Sequence, residues 1–524
     1  MTAPPSTLPG HYGLGFRGGI DLERRTEGTV VLSKNRPVCL LRRLHPQLHS
    51  ALERITARPL LLSELMVDLD AALQEQLVSI VLRLRGLLHR SVMHDTRELL
   101  RIQTPTVDFA LAPVTVTPQT LVRLSRFTLL RATGHHLALE SARTEHQCLL
   151  TDPAATALVT TLAEPVPIAQ LPAPDLPNTA STSLVRALAE LGFVDLGEMI
   201  DDQVRFAADD DDVLAQWEFH DLLFHERSRV GHPSRAHDEP FPFLDLIAPQ
   251  PVARSMTDAP VVELHHPTLA ELLATDPALT TALEGRRSVR SYGQQPITAP
   301  QVGEFLYRVA RVRATYGPDR TVGLPYEGSS RPYPSGGSCY DLELYLVIGR
   351  CRGIAEAIYF YDPVGHRLHL VNDDQSCRDE LLDAARRSMA ADTPPDILIA
   401  VTSRFHRVAW KYPSIAYRLT TQHVGVLYQN MYLVATAMGL APCAIGDSSA
   451  DLVSGALGLR RLCEPVVGAF LLGSLPTEKL GSTTDQGSAV GWWPVNDPHW
   501  SDEAQRLLRQ VGRSESAVEG TPSC

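Results

Sequence analysis

The chain has 524 residues, 44% hydrophobic and 21% charged, with 39 Pro and 34 Gly. That balance is globular and excludes a fibrous or wholly disordered protein. Lys+Arg number 48 against 60 Asp+Glu, a net charge of −12 that argues against tight nonspecific binding to a nucleic-acid backbone.

Residues 1–19 are rich in Pro and Gly and predict a flexible N-terminus without a secretory signal. Gly13, Gly15 and Gly18 formally match a dinucleotide fingerprint. No strand pattern precedes them and no amphipathic helix follows, so that reading is discarded. No apolar run is long enough to span a membrane. The eight Cys are scattered without a CxxC pair, which excludes a disulfide scaffold or zinc ribbon and points to the cytoplasm.

A weak repeat occupies residues 28–200. The first copy passes through Val38-Cys39-Leu40-Leu41, a helix around Leu48, Leu52 and Ile55, a short helix near Leu65, and a helix ending at Gly86. The second passes through Gln147-Cys148-Leu149-Leu150, a helix around Leu158 and Leu162, a short helix near Ile168, and a helix ending at Gly192. Each Gly lets the chain turn into a strand. The order predicts two winged-helix-like modules, 20–115 and 120–200. The second lacks a basic recognition face, so a peptide- or protein-binding use, or a structural helical region, is at least as well supported as DNA binding. Residues 201–262 hold an acidic stretch, a helix after Trp217 and a Pro- and Asp-rich linker.

Residues 263–500 mix helices and strands, with 501–524 as a polar tail. A helix is predicted over 268–284, and a capping box at Thr298–Gln301 opens another. A strand is predicted at 340–348, a hairpin at 358–361 and 368–371, and strands at 396–401 and 465–472. A long helix over 414–438 ends at Gly439, a suitable left-handed cap.

Four clusters here could carry chemistry. Arg286, Arg287, Ser288 and Arg290 offer the donors that a dianionic phosphate requires. Pro334, Ser335, Gly336 and Gly337 allow backbone to approach a flat ligand. Lys411 and Tyr412 could transfer a proton. Ile445 and Gly446 could present backbone to a polar ring edge. Taken singly, each is also an ordinary turn or surface pair.

In order, these clusters resemble the nitroreductase superfamily of flavoproteins. More narrowly they resemble the SagB-type dehydrogenases that form thiazoles and oxazoles in ribosomal peptides. Trp217-Glu-Phe-His-Asp-Leu-Leu-Phe-His-Glu-Arg-Ser-Arg229, Leu342-Glu-Leu-Tyr345, Tyr417-Arg418 and His423-Val-Gly425 add to the likeness. The resemblance implies an α+β fold, a mostly antiparallel sheet flanked by helices, with one FMN per site at a homodimer interface. It implies FMN phosphate and ribityl contacts at 286–290, the isoalloxazine bordered by 334–337, and its N5/O4 edge at 445–446. It also implies Lys411 or Tyr412 as base, an azoline-containing precursor peptide as substrate and a cyclodehydratase as partner. Because no NAD(P) fingerprint is present, dioxygen is the expected flavin oxidant, with the final acceptor left open. Family members often add a basic residue after the last strand, and only Lys479 is available here. The alternatives are an NAD(P)H-dependent nitro- or quinone reductase, a non-catalytic scaffold subunit, or a winged-helix transcription factor.

Overall fold

The computed structural model describes residues 12–103, 113–172, 175–229, 241–254, 259–446, 449–476, 496–497 and 499–516. The chain forms two compact units, Met1–His237 and Asp238–Cys524.

In the N-terminal unit, the predicted order recurs twice. After the strand Arg36–Arg42 come helix Pro46–Ala57, strand Leu60–Leu61, helix Leu62–Met66, helix Ala71–Leu84, and the paired strands Leu88–His94 and Arg97–Gln103. After the strand Gln147–Leu150 come helix Pro153–Thr161, strand Val166–Pro167, the 3-10 turn Ile168–Gln170, helix Asn178–Glu190, and the paired strands Val194–Ile200 and Gln203–Phe206. Gly192 has φ +77°, as a left-handed helix end requires. Gly86 instead lies in a 3-10 turn, Arg85–Leu87.

One seven-stranded sheet joins strands from both halves of this unit. Its strand Gly13–Phe16 is buried, which corrects the expectation of a flexible terminus at these residues. The strand pairs with Leu88–His94 on one side and Leu60–Leu61 on the other. A Cβ at Gly13 or Gly15 would come within 2.7 Å of the Met93 or His89 side chain. Close strand packing thus accounts for two glycines of the discarded fingerprint.

In the C-terminal unit, seven strands form one sheet: β1 Val261–Glu263, β2 Leu342–Ile348, β3 Ile358–Asp362, β4 Arg367–Asn372, β5 Ile397–Ser403, β6 Leu440–Ile445 and β7 Val466–Ser474. Their order is β1-β4-β3-β2-β5-β7-β6, and every neighbouring pair is antiparallel. Helices α1 Leu269–Thr275, α2 Leu279–Gly285, α3 Ala299–Ala310, α4 Gln375–Ser388, α5 His406–Ala409, α6 Ala416–Ala437, α7 Ala450–Ala456 and α8 His499–Ser516 complete it.

The sheet is covered on both faces. Leu342, Leu344, Leu346 and Ile348 share a core with Phe305 and Leu306 of α3 and Leu427 and Met431 of α6. Tyr345 and Val347 share another with Leu381 and Leu382 of α4 and Val453 of α7. This explains why β2 is buried at every position. Each large apolar side chain removed from water contributes roughly 1.5–3 kcal/mol. The capping box at Thr298 and Gln301 is present, and Gly439 ends α6 with φ +64°.

Two expectations change. The helix predicted over 268–284 is two helices, because Pro277 holds Asp276 in an extended conformation. The tail is not uniformly free: α8 packs on α2. Ser501 Oγ donates to the Glu284 carbonyl at 2.8 Å and Gln505 Nε2 donates to that of Gly285. The last carbonyls of α2 lack helical partners, so these side chains satisfy them.

Candidate active site

β2 is entered from a tight turn. Gly337 has φ +60°, and Ser338 and Tyr340 follow at +55° and +43°. Side chains in this region cost on the order of 1–3 kcal/mol each and persist only where the surroundings enforce them. Here the enforcement is visible. The Gly336 N–H donates to His423 Nε2 at 2.8 Å, and the Tyr340 N–H donates to Ser335 Oγ at 3.0 Å.

His423 lies on the buried stripe of α6, with Thr420, Leu427 and Met431 at helical spacing. Since Nε2 accepts from Gly336, the ring proton sits on Nδ1, which donates to Asp341 Oδ1 at 2.7 Å. Asp341 is 0% exposed and also accepts from Ser403 Oγ at 2.6 Å and Thr420 Oγ1 at 2.9 Å. Burial alone would raise its pKa. Hydrogen bonds from His423 and the two hydroxyls hold it below the ordinary carboxylate value.

On its other side the turn meets Lys411 and Tyr412, which follow α5. A Cβ placed on Gly337 would stand 2.5 Å from Lys411 Nζ and 2.7 Å from Tyr412 Oη. Lys411 Nζ donates to Tyr326 Oη at 2.6 Å, and Tyr326 donates to the Gly337 carbonyl at 2.5 Å. Burial pushes the Tyr326 phenol up to about 12. The rings of Tyr326, Tyr412 and Phe241 lie 4.8, 5.3 and 5.9 Å from Lys411 Nζ. The segment at 241–254 braces this corner: the Phe241 N–H donates to the Lys411 carbonyl and Trp410 Nε1 to that of Ile247.

The other two clusters meet further along α6. Ser288 Oγ is 2.7 Å from Tyr432 Oη, which also accepts the Ala444 N–H at 2.8 Å. The Arg286 guanidinium lies 5.2 Å from the Tyr432 ring centre, and the Val289 N–H donates to the Pro442 carbonyl. Arg287 is buried, and Arg290 is exposed. Ile445 ends β6 with its side chain toward α4 and α7, and Gly446 follows, exposed, with open space where a Cβ would be. His423 and Tyr432 are nine residues apart, so α6 separates the two groups by roughly 14 Å. Lys479 lies outside the described residues.

Residues 283–474 match the nitroreductase family, and residues 122–234 match the cyanobactin oxidase ThcOx. A Methanocaldococcus jannaschii protein named as a nitroreductase is 28% identical over 185 residues, 35% of this chain and 84% of that protein. The microcin B17-processing protein McbC of Escherichia coli is 30% identical over 122 residues, 21% of this chain and 42% of McbC. Among solved structures, the E. coli microcin synthetase McbBCD complex with truncated pro-MccB17 bound is similar at 18% identity and a TM-score of 0.30. That likeness covers 41% of this chain and 84% of the other.

The chain therefore carries a nitroreductase-family domain and is an oxidoreductase. The ThcOx match ahead of that domain and the partial likeness to McbC agree with the SagB-type resemblance of the ordered motifs.

Nitroreductase-family proteins use FMN, and the residues here fit it. Among the described residues, neither Arg286 nor Arg290 has a carboxylate within 4.0 Å, which leaves two guanidiniums for a dianion. At Gly336 a Cβ would press on His423 and Leu419 and at Gly337 on Lys411 and Tyr412, so both positions bring bare backbone to these side chains.

Asp341, Tyr326 and Phe241 belong to none of the four sequence clusters, and His423 enters there only within His423-Val-Gly425. His423 in the apolar stripe of α6 was the available signal. Tyr326 and Phe241 carried none, because their roles arise only from distant chain meeting Lys411.

Proposed function

We propose that this chain is an FMN-dependent dehydrogenase that oxidises peptide-borne thiazoline or oxazoline rings to thiazoles or oxazoles. The observation that carries the reading is the placement of Lys411 and Tyr412 against the Gly337 backbone. A Lys-Tyr pair capable of proton transfer stands against bare glycine backbone.

FMN, when bound, supplies the two-electron acceptor. Arg286, Arg287, Ser288 and Arg290 hold its phosphate and ribityl chain, Pro334, Ser335, Gly336 and Gly337 border its ring, and Ile445 and Gly446 offer backbone to the ring edge. Lys411 Nζ or Tyr412 Oη takes the proton from the azoline Cα while a hydride leaves Cβ, and the product ring is aromatic. Holding both partners in reacting geometry supplies much of the acceleration. Tyr326, with its pKa pushed up to about 12, keeps its proton at neutral pH.

The N-terminal unit, read as two winged-helix-like modules, receives the precursor peptide or a partner protein. The active form is a cytoplasmic homodimer working with a cyclodehydratase. Among the described residues, no helix is long and apolar enough to cross a membrane.

The test uses purified full-length protein. Its visible spectrum is recorded and a cyclodehydratase-made azoline peptide is added. A yellow protein and the loss of two hydrogens per ring support the reading. No such loss, with brisk NADPH oxidation, marks a nicotinamide-dependent reductase instead. A protein that remains colourless when FMN is supplied marks a scaffold subunit.

A further inference from the structure

We infer that Tyr326 is a positioning residue for Lys411, fixing its amine against the Gly337 backbone through a two-bond relay. The inference rests on the reading of Lys411 as part of the proton-transfer pair.

The geometry is directional. The Gly337 carbonyl can only accept, so the Tyr326 hydroxyl proton points to it. The Tyr326 oxygen is left to accept, and Lys411 Nζ donates into it. One N–H of Lys411 is thereby fixed whether the amine is charged or neutral, since both forms retain N–H donors. The Tyr326 ring adds a second constraint, 4.8 Å from Nζ. Lys411 has four rotatable side-chain bonds, and an unanchored amine would spread over many rotamers. The anchor is also rigidly held: Tyr326 is buried and packs in one cluster with Cys339, Val408 and Trp410. The turn that receives the relay is the turn His423 grips from the opposite side. The amine is thus referenced to the same backbone that, in the proposed function, borders the flavin ring.

Tyr326→Phe tests this, because it keeps the ring and removes only the relay. Its flavin spectrum should match that of the wild type, which reports a folded site. With azoline peptide, kcat should fall roughly 10²-fold, the scale of a misplaced reacting group, with KM unchanged. Independently of turnover, Lys411 released from Tyr326 should be acylated several-fold faster by an amine-reactive reagent, read by peptide mass spectrometry. Wild-type kcat and wild-type labelling in Tyr326→Phe would overturn the inference. Parallel losses of flavin and peptide binding would also overturn it, by showing a merely structural role. If the wild-type protein does not oxidise azoline peptides, the functional reading fails, and the labelling comparison still decides whether Tyr326 holds Lys411.

Discussion

His423 and Asp341 meet at 2.7 Å beneath the turn that carries Gly336 and Gly337, with the far nitrogen of the same imidazole accepting the Gly336 N–H at 2.8 Å. The pair fixes which nitrogen is protonated, and so fixes the turn. Asp341→Asn places an amide where the carboxylate was. Its NH₂ can donate to Nδ1, which moves the ring proton to Nε2 and sets it against the Gly336 N–H. A hydrogen bond to a buried charged group contributes roughly 1.5–3 kcal/mol. Denaturant unfolding of Asp341→Asn should show a loss on that order, with weaker FMN retention. Wild-type stability would refute the pinning role.

Asp341 also predicts acid behaviour. Its folded pKa is depressed, so its stabilisation is present above the ordinary carboxylate pKa and is lost as pH falls through the lower, folded value. Glu98 in the N-terminal unit behaves alike. Burial opposes its ionisation, but the nearby His89, 3.6 Å away, and hydrogen bonds from Arg101 and Ser91 outweigh it and push the pKa down to about 2. Its contribution, about 3 kcal/mol, is complete above pH 4.5 and lost toward pH 2. Glu98→Gln should flatten that part of the stability–pH curve, as measured by chemical unfolding at stepped pH.

Gly337→Ala adds a methyl where there is no room and at φ +60°. The backbone alone costs roughly 1–2 kcal/mol. The displacement of Lys411 and Tyr412 should cost more, with turnover falling on the order of 10²-fold. Turnover and melting temperature, measured together, separate the two effects: a variant that melts lower but turns over normally would mean Gly337 serves the fold alone.

Lys411→Ala and Tyr412→Phe should each lower turnover strongly while leaving FMN bound, because neither belongs to the phosphate-binding set. Flavin absorbance against peptide oxidation checks this. Full turnover in both variants would remove the pair from the mechanism.

Arg286→Ala and Arg290→Ala should weaken FMN binding. A hydrogen bond to a charged group contributes roughly 1.5–3 kcal/mol, or about 10- to 100-fold in Kd. Riboflavin, which lacks the phosphate, should bind each variant as it binds the wild type. An equal loss for both flavins would place these guanidiniums away from the phosphate.

Local chemistry made much of this chain legible in sequence. The capping box at Thr298, the left-handed Gly439 and the 358–372 hairpin are written in neighbouring residues, because caps and turns are satisfied within a few positions. So were the residue types of the four clusters, since guanidinium, glycine and Lys-Tyr chemistry belongs to the side chains themselves. Pairing was not legible. The hydrogen bond from Lys411 to Tyr326 spans 85 residues and that between Ser288 and Tyr432 spans 144. Periodicity tells which face of an element is apolar, but not which distant segment covers it. The burial of Gly13–Phe16, the packing of α8 on α2, and the Asp341–His423–Gly336 chain arose the same way, each from a strand edge, free carbonyl or buried carboxylate that distant chain had to satisfy. The sequence by itself determined which groups could do chemistry, and only the tertiary structure decided which of them stand within a hydrogen bond of one another.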